Sequence, residues 1–204
     1  MANQAAQPDA FYDLLKRALD IAGACVGLIA FAPLLLGCGA WIKLRDGGPI
    51  FYRQWRVGHN GWIFCIYKLR TMAMDAEQPG NAKFASANDG RIIPGCQWMR
   101  RSHIDELPQL WNILTGEMSL VGPRPERSEM FQDIESAMPR FKQRLAGKPG
   151  LTGLAQVRNG YTNDTAGARK KLAYDLCYLQ NRSIRNELQL ILATIPRIWD
   201  DAPL

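Results

Sequence analysis

The sequence predicts a mainly helical α+β protein: an N-terminal proline-broken re-entrant membrane helix, a small β-hairpin, and a helical cytosolic domain. Three observations carry this expectation. Residues 21–42 hold no charged side chain and have Pro33 near their middle. Two aromatic-rich runs flank Gly58-His59-Asn60-Gly61. Beyond them, apolar residues recur at helical spacing through much of the chain. With 204 residues, the chain is long enough for one domain with a real core and short for two. The division expected is an N-terminal helix and anchor at 1–45, then one integrated unit at 46–204.

Phe11, Leu14, Leu15, Ala18 and Leu19 share a helical face, with Asp13, Lys16, Arg17 and Asp20 on the other side. As a helix, the uncharged run that follows reaches about 30 Å, the thickness of a hydrocarbon core. Pro33 removes a helix hydrogen bond and kinks the axis. Lys16 and Arg17 precede the run, and Lys43, Arg45, Arg53 and Arg56 follow it. The positive-inside rule then puts both ends on the cytoplasmic side. A kinked hairpin that enters and leaves one face satisfies both observations, with its bend kept shallow or protein-covered. The competing readings are a kinked single-pass anchor and a buried core helix. No clear small-residue cleavage site follows, which argues against a signal peptide.

Asp46-Gly47-Gly48-Pro49 ends the helix. Asn60-Gly61 between the runs at 50–57 and 62–67 is a strong hairpin signal. Trp55, Trp62 and Phe64 suit either a core or an interfacial aromatic belt. Lys68 and Arg70 read as a solvated strand end or, beside a phosphate site, a charge clamp. The polar segment 75–95 reads as a loop flanked by a short helix around residues 72–78. A helix at 128–137, a turn at 141–145 and a strand-like segment at 151–157 follow, then a loop at 159–165. Two helices close the chain, at 166–179 and after a Ser183 cap. In the second, Ile184, Leu188, Ile191, Leu192, Ile195 and Trp199 form a stripe assigned to the core, with membrane contact as the alternative.

The net charge of +6 and pI near 9.2 favour an anionic partner: nucleic acid, lipid headgroups or a phosphorylated small molecule. Five scattered cysteines without a Cys-x-x-Cys pair read as reduced thiols. Only His59 and His103 are available as imidazoles, so any metal should be a hard, oxygen-bound ion such as magnesium.

Residues 100–126 concentrate the chemistry. Leu107, Leu110, Trp111 and Leu114 have helical spacing, and Gly116 stands at a C-terminal stop. Asp105 then falls at the N-cap, with Glu106 and Pro108 in the first turn. A well-capped helix explains these residues without function. Yet a helix start holds carboxylates ionised and suits a phosphate, and an ionised aspartate beside phosphate is a magnesium ligand, a nucleophile, or both. Arg100, Arg101, Lys68, Arg70 and Arg124 are the candidate countercharges. Arg124 lies between Pro123 and Pro125, which restrict its backbone, and its guanidinium can grip phosphate oxygens bidentately.

Nearly the whole chain resembles the small monotopic phosphoglycosyl transferases of the bacterial sugar transferase family. The resemblance rests on an ordered motif set. It takes in Pro33, Gly48-Pro49, Phe51, Arg53-Gln54, Arg56-Val57-Gly58 and Lys68-Leu69-Arg70-Thr71-Met72. It continues through Asp105-Glu106-Leu107-Pro108-Gln109, Met118-Ser119, Val121-Gly122-Pro123-Arg124-Pro125, Pro149-Gly150-Leu151-Thr152-Gly153 and Ala155-Gln156. It implies transfer of a sugar-1-phosphate from a nucleotide diphosphate sugar, expected to carry uracil, to polyprenyl phosphate. The setting implied is the cytoplasmic face of a bacterial inner membrane, with magnesium and membrane lipids as partners. Asp105 would attack the β-phosphate, releasing UMP, and polyprenyl phosphate would attack the resulting aspartyl phosphosugar. Glu106 is implied as its partner in metal binding or acceptor positioning. Arg100 and Arg124 would hold phosphate, with Lys68, Arg70, Pro123 and Gln109 completing the substrate site. A homodimer stays open. Leu69, Ala32, His103 and Glu117 depart from the family's common phenylalanine, serine, serine and aspartate. The chain looks like the minimal catalytic form, without the multi-helix N-terminal region of longer relatives.

Three rivals remain at this level. The same transfer could run in one ternary-complex step, with Asp105 only holding metal. A basic, non-catalytic membrane adaptor would explain anchor and charge but not the dyad or Arg124. Nucleic-acid binding would explain only the charge and the aromatics, and is not expected.

Overall fold

A computed structural model of the protein describes residues 10–76, 89–159 and 165–196. The expected loop tips at 77–88 and 160–164, and Trp199 of the expected apolar stripe, lie outside these residues.

Helix α1 (Ala10–Asp46) is 37 residues long, and helical backbone runs through Pro33. It is long and apolar enough to cross a membrane, and only 11% of its most apolar 18-residue window is buried. A core helix would be mostly covered, so that reading of the run fails. The buried residues of α1 fall at two places, Asp20 and Ala24 toward one end and Cys38, Gly39 and Ile42 toward the other. Between Ala24 and Cys38 the helix advances about 21 Å, and Val26, Ile29 and Leu36 are exposed there.

Strands β1 (Phe51–Val57) and β2 (Ile63–Leu69) form the expected hairpin, pairing antiparallel from Phe51↔Leu69 to Val57↔Ile63. At the turn, Asn60 and Gly61 take φ of 53° and 84°, the left-handed values that this dipeptide tolerates best. Two-residue β4 (Glu126–Arg127) adds to the free edge of β1, giving the order β2-β1-β4. A separate parallel pair joins β3 (Ser119–Val121) and β5 (Gly150–Thr152). Helices α2 (Gln97–Arg101) and α3 (Gln109–Thr115) lie between β2 and β3, and α4 (Ser128–Ala137) follows β4. After β5 come α5 (Leu154–Asn159), α6 (Thr165–Gln180) and α7 (Ile184–Thr194), the last capped by Ser183 as expected.

Both ends of α1 pack on the same body. Ala24 joins Phe64, Ile66, Leu110, Ile113 and Met118, while Cys38 and Ile42 join Leu69, Ile92, Ile93, Cys96 and Met99. Close approach at the first end needs glycine. A Cβ on Gly23 would sit 2.6 Å from Leu120 Cδ1, and one on Gly27 2.8 Å from Leu110 Cδ1. Arg17 donates to the Ile113 and Leu114 carbonyls at 2.6 and 2.7 Å, satisfying the negative end of α3. Asp20 accepts from Lys16 at 2.8 Å and from the Leu120 N–H at 2.9 Å. Lys16 also pairs at 3.0 Å with Glu187 of α7, which accepts from Tyr12 at 2.8 Å.

Three sequence expectations are corrected. No helix starts at Met72; it forms an antiparallel bridge with Ile92, so pairing partners across the loop win over local propensity. The segment 151–157 is strand only to Thr152, after which Gly153 leads into α5. The α7 stripe is core only at its edge: Leu188, Leu192 and Ile195 are exposed, while Ile184 and Ile191 are half-buried beside buried Glu187.

Candidate active site

Asp105 and Glu106 lie not at an α-helical N-cap but in a 3-10 turn, Ile104–Glu106. Pro108 resets the start of α3 and is itself the residue before its first turn. The chain enters the 3-10 turn through His103 at φ 54°, a left-handed value that histidine accepts more readily than most residues. Both carboxylates are buried, at 6% and 7% exposure.

Their electrostatics diverge. The Arg124 guanidinium grips Glu106 bidentately, NH1 donating to Oε2 at 3.0 Å and NH2 to Oε1 at 2.6 Å. Lys68 Nζ donates to Oε1 at 2.7 Å. Burial alone would raise the Glu106 pKa, but Arg124 and Lys68 outweigh it and hold the group well below the usual carboxylate range. Among the described residues, no hydrogen bond reaches Asp105. Burial pushes its pKa up to about 7, with the Lys68 charge only partly offsetting that and Glu106 adding to it. Burial likewise lowers the Lys68 ammonium, against the pull of Glu106, and lowers His103. Glu106 therefore takes the direct contacts of the cations, while Asp105 feels their charge without a hydrogen bond among the described residues.

Lys68 and Arg124 close on Glu106, beside Asp105. Arg100 donates to Thr71 Oγ1 at 3.1 Å, and its charge is felt at Asp105. Gln109, the first residue of α3, is 3% exposed, and its Nε2 has no hydrogen-bond partner among the described residues. Pro123 accepts through its carbonyl from Gly150 N–H at 3.0 Å, which pins the arginine turn to β5. A Cβ on Gly150 would lie 2.0 Å from Gly122 N, so this approach excludes any side chain there. Arg70 goes elsewhere. Strand β2 ends at Leu69, so the alternation that would set Arg70 beside Lys68 has stopped. Its guanidinium instead pairs with Asp46 at 2.5 Å and donates from Nε to Pro49 O at 2.6 Å. Pro33 lies along α1, between its two buried ends.

Sequence reasoning missed the layer beneath Arg124. Arg56 NH1 donates to Pro125 O at 3.0 Å. Arg144, 1% exposed, donates from NH2 to Arg124 O at 2.8 Å, from Nε to Asp175 at 2.7 Å and from NH1 to Glu126 at 3.3 Å. Lys171 pairs with Glu126 as well. Only Arg56, within the Arg56-Val57-Gly58 motif, carried a sequence signal; charge pairs 18 to 45 residues apart leave no periodicity to read.

Among the described residues no group of three or more metal-ligating side chains gathers. Magnesium needs less, because it keeps waters and binds through one or two carboxylates plus substrate phosphates. Asp105 fits as that carboxylate; both Glu106 oxygens are already engaged by cations.

The chain is similar to known proteins over nearly its whole length. The chain is 38% identical over 191 residues to the UDP-N-acetylgalactosamine-undecaprenyl-phosphate N-acetylgalactosaminephosphotransferase of Aeromonas hydrophila, covering 94% of this chain and 45% of that protein. It is 41% identical over 193 residues to the UDP-glucose:undecaprenyl-phosphate glucose-1-phosphate transferase of Caulobacter vibrioides, covering 94% and 72%. An exopolysaccharide production protein of Rhizobium leguminosarum is 40% identical over 187 residues, covering 89% and 94%. The bacterial sugar transferase model matches residues 11–201, which take in the long helix, the carboxylate turn and the arginine turn alike; the chain belongs to that family.

Proposed function

We propose that the protein transfers a sugar-1-phosphate from a UDP-sugar to polyprenyl phosphate, with Asp105 as nucleophile. The observation that carries this reading is the split between adjacent carboxylates: Glu106 is engaged by Arg124 and Lys68, whereas buried Asp105 has no side-chain hydrogen bond among the described residues. A group meant only to balance charge would be paired in the same way as its neighbour. Arg124 and Lys68, held by Glu106, lie ready for the donor's phosphate oxygens, with Arg100 adding charge from α2.

An Asp105 oxygen attacks the β-phosphorus, and the bond to the bridging oxygen breaks, so UMP leaves with that oxygen and the electron pair. The sugar phosphate stays on Asp105 as an acyl phosphate. An oxygen of polyprenyl phosphate then attacks the same phosphorus, forming the lipid diphosphate sugar and returning Asp105 as carboxylate. Magnesium, when bound by Asp105 and the diphosphate, supplies countercharge to the phosphate oxygens.

The setting is the cytoplasmic face of a bacterial inner membrane, reached through α1 as a re-entrant anchor. Two facts support that. The apolar middle of α1 is exposed, while both ends pack on one body that also carries the dyad. Exposed Leu188, Leu192 and Ile195 extend apolar surface onto α7, which Lys16 and Tyr12 tie to α1.

The test is UMP release from a panel of UDP-sugars with magnesium, with and without polyprenyl phosphate. A burst of UMP without acceptor, and a sugar-phosphate mass on the Asp105 peptide, are expected. Asp105→Asn should abolish both while leaving membrane binding intact. UMP formed only when acceptor is present would replace the two steps by one.

A further inference from the structure

Besides the Arg124 guanidinium on Glu106, three successive main-chain carbonyls hold the turn that carries Arg124. The carbonyl of Pro123 accepts from β5, that of Arg124 from Arg144, and that of Pro125 from Arg56. The Tyr178 hydroxyl lies 3.0 Å from Val121 O, just before the turn. Of these partners, Arg144 alone reaches the carbonyl of the residue whose side chain meets Glu106. It is also the most deeply buried charge in the set, 1% exposed.

Buried charge is expensive, and well-packed apolar residues of similar volume often replace ion pairs at no loss of stability. Here the cost is met by two carboxylates, Glu126 and Asp175, with Lys171 balancing the second negative charge. Three directional contacts use three different nitrogens of one planar fork, which an ammonium could not reproduce. Phe141 stacks under the same guanidinium, 4.8 Å from ring centroid to Cζ, fixing its plane.

We infer that Arg144 is a positioning residue for this site: it fixes the main chain of Arg124, and through it the guanidinium that organises Glu106 and receives the substrate phosphate. The role of Arg124 rests on the proposed reaction; the positioning itself does not, and the experiment separates them.

The full-length protein in lipid nanodiscs is compared as wild type, Arg144→Lys, Arg124→Ala and the double variant. The first readout is the arginine Nε–Hε spectrum, with the Arg124 signal assigned by its absence in Arg124→Ala. Arg144→Lys should shift or broaden that signal. The second readout is UMP release. Arg144→Lys should slow turnover about tenfold, with much less effect in the Arg124→Ala background, because residues acting through one another do not add. An unchanged Arg124 signal, or losses that multiply in the double variant, would overturn the inference. A moved signal in a protein that releases no UMP from any donor would keep the positioning and sink the reaction. Should Arg144→Lys not fold, the charge-balanced pair Arg144→Gln with Asp175→Asn is read in the same spectrum, with the same expectations.

Discussion

Replacing Glu106 by glutamine would release Arg124 and Lys68 at once, because both reach the same carboxylate. Turnover should fall by about 10² or more, as for other lost electrostatic anchors. The fold should also weaken, since two half-buried cations lose their partner; thermal unfolding beside UMP release measures both. A second residue gives a pH signature. Lys171 and Arg144 hold Glu126 at about 2 despite burial, against an ordinary 4.5. A depressed carboxylate stabilises the folded state above its unfolded pKa, and that stability is lost as pH falls toward the folded value. Acid unfolding should therefore steepen between about pH 4.5 and about 2, and Glu126→Gln should flatten it in a circular-dichroism titration. Asp175, raised by burial, works in the opposite sense and is retained in both proteins.

Among elements, α1 gives the sharpest contrast. Gly27→Val would drive side-chain atoms into Leu110, and should cost about 1–3 kcal/mol in a denaturant titration. A Cβ on Gly37 meets nothing within 4 Å, so Gly37→Ala should leave stability unchanged or raise it by up to about 1 kcal/mol. Such contrasts show what the sequence could and could not reveal. The β1–β2 hairpin was legible because Asn60-Gly61 names its own backbone conformation. The stop of α3 at Gly116, with φ of 87°, was legible for the same reason. Its start was misplaced because Pro108 permits a helix to begin after it, and the residues before it settled into a 3-10 turn. The α7 stripe had the right periodicity, but periodicity identifies a face without saying what covers it. Charge and motif named Lys68 and Arg124 as candidate countercharges, but did not show that both would close on Glu106. Arg144 was not legible, because its partners Glu126 and Asp175 are distant in sequence and its contact with Arg124 is to a main-chain carbonyl.

At the scale of the molecule, anchor and site share one body. Hydrophobic attachment through α1 should survive washing with high salt and yield only to detergent, whereas attachment by the net charge of +6 would be screened. Fractionation of membranes under both conditions decides between them. An extra residue inserted between Gly27 and Pro33 would turn everything beyond it by about 100°. Either the Ala24 contacts or those of Cys38 and Ile42 would then break, and activity should fall with no change near Asp105. Because both buried stretches of α1 pack on the body that carries Asp105, the proposed attachment would leave no swivel between membrane and site. With α1 as the membrane attachment proposed above, the height of Asp105 above the bilayer would be a constant of the fold, as the stylus of a gramophone is held at one depth in its groove. An acceptor confined to the membrane plane would need to search only two dimensions to find it.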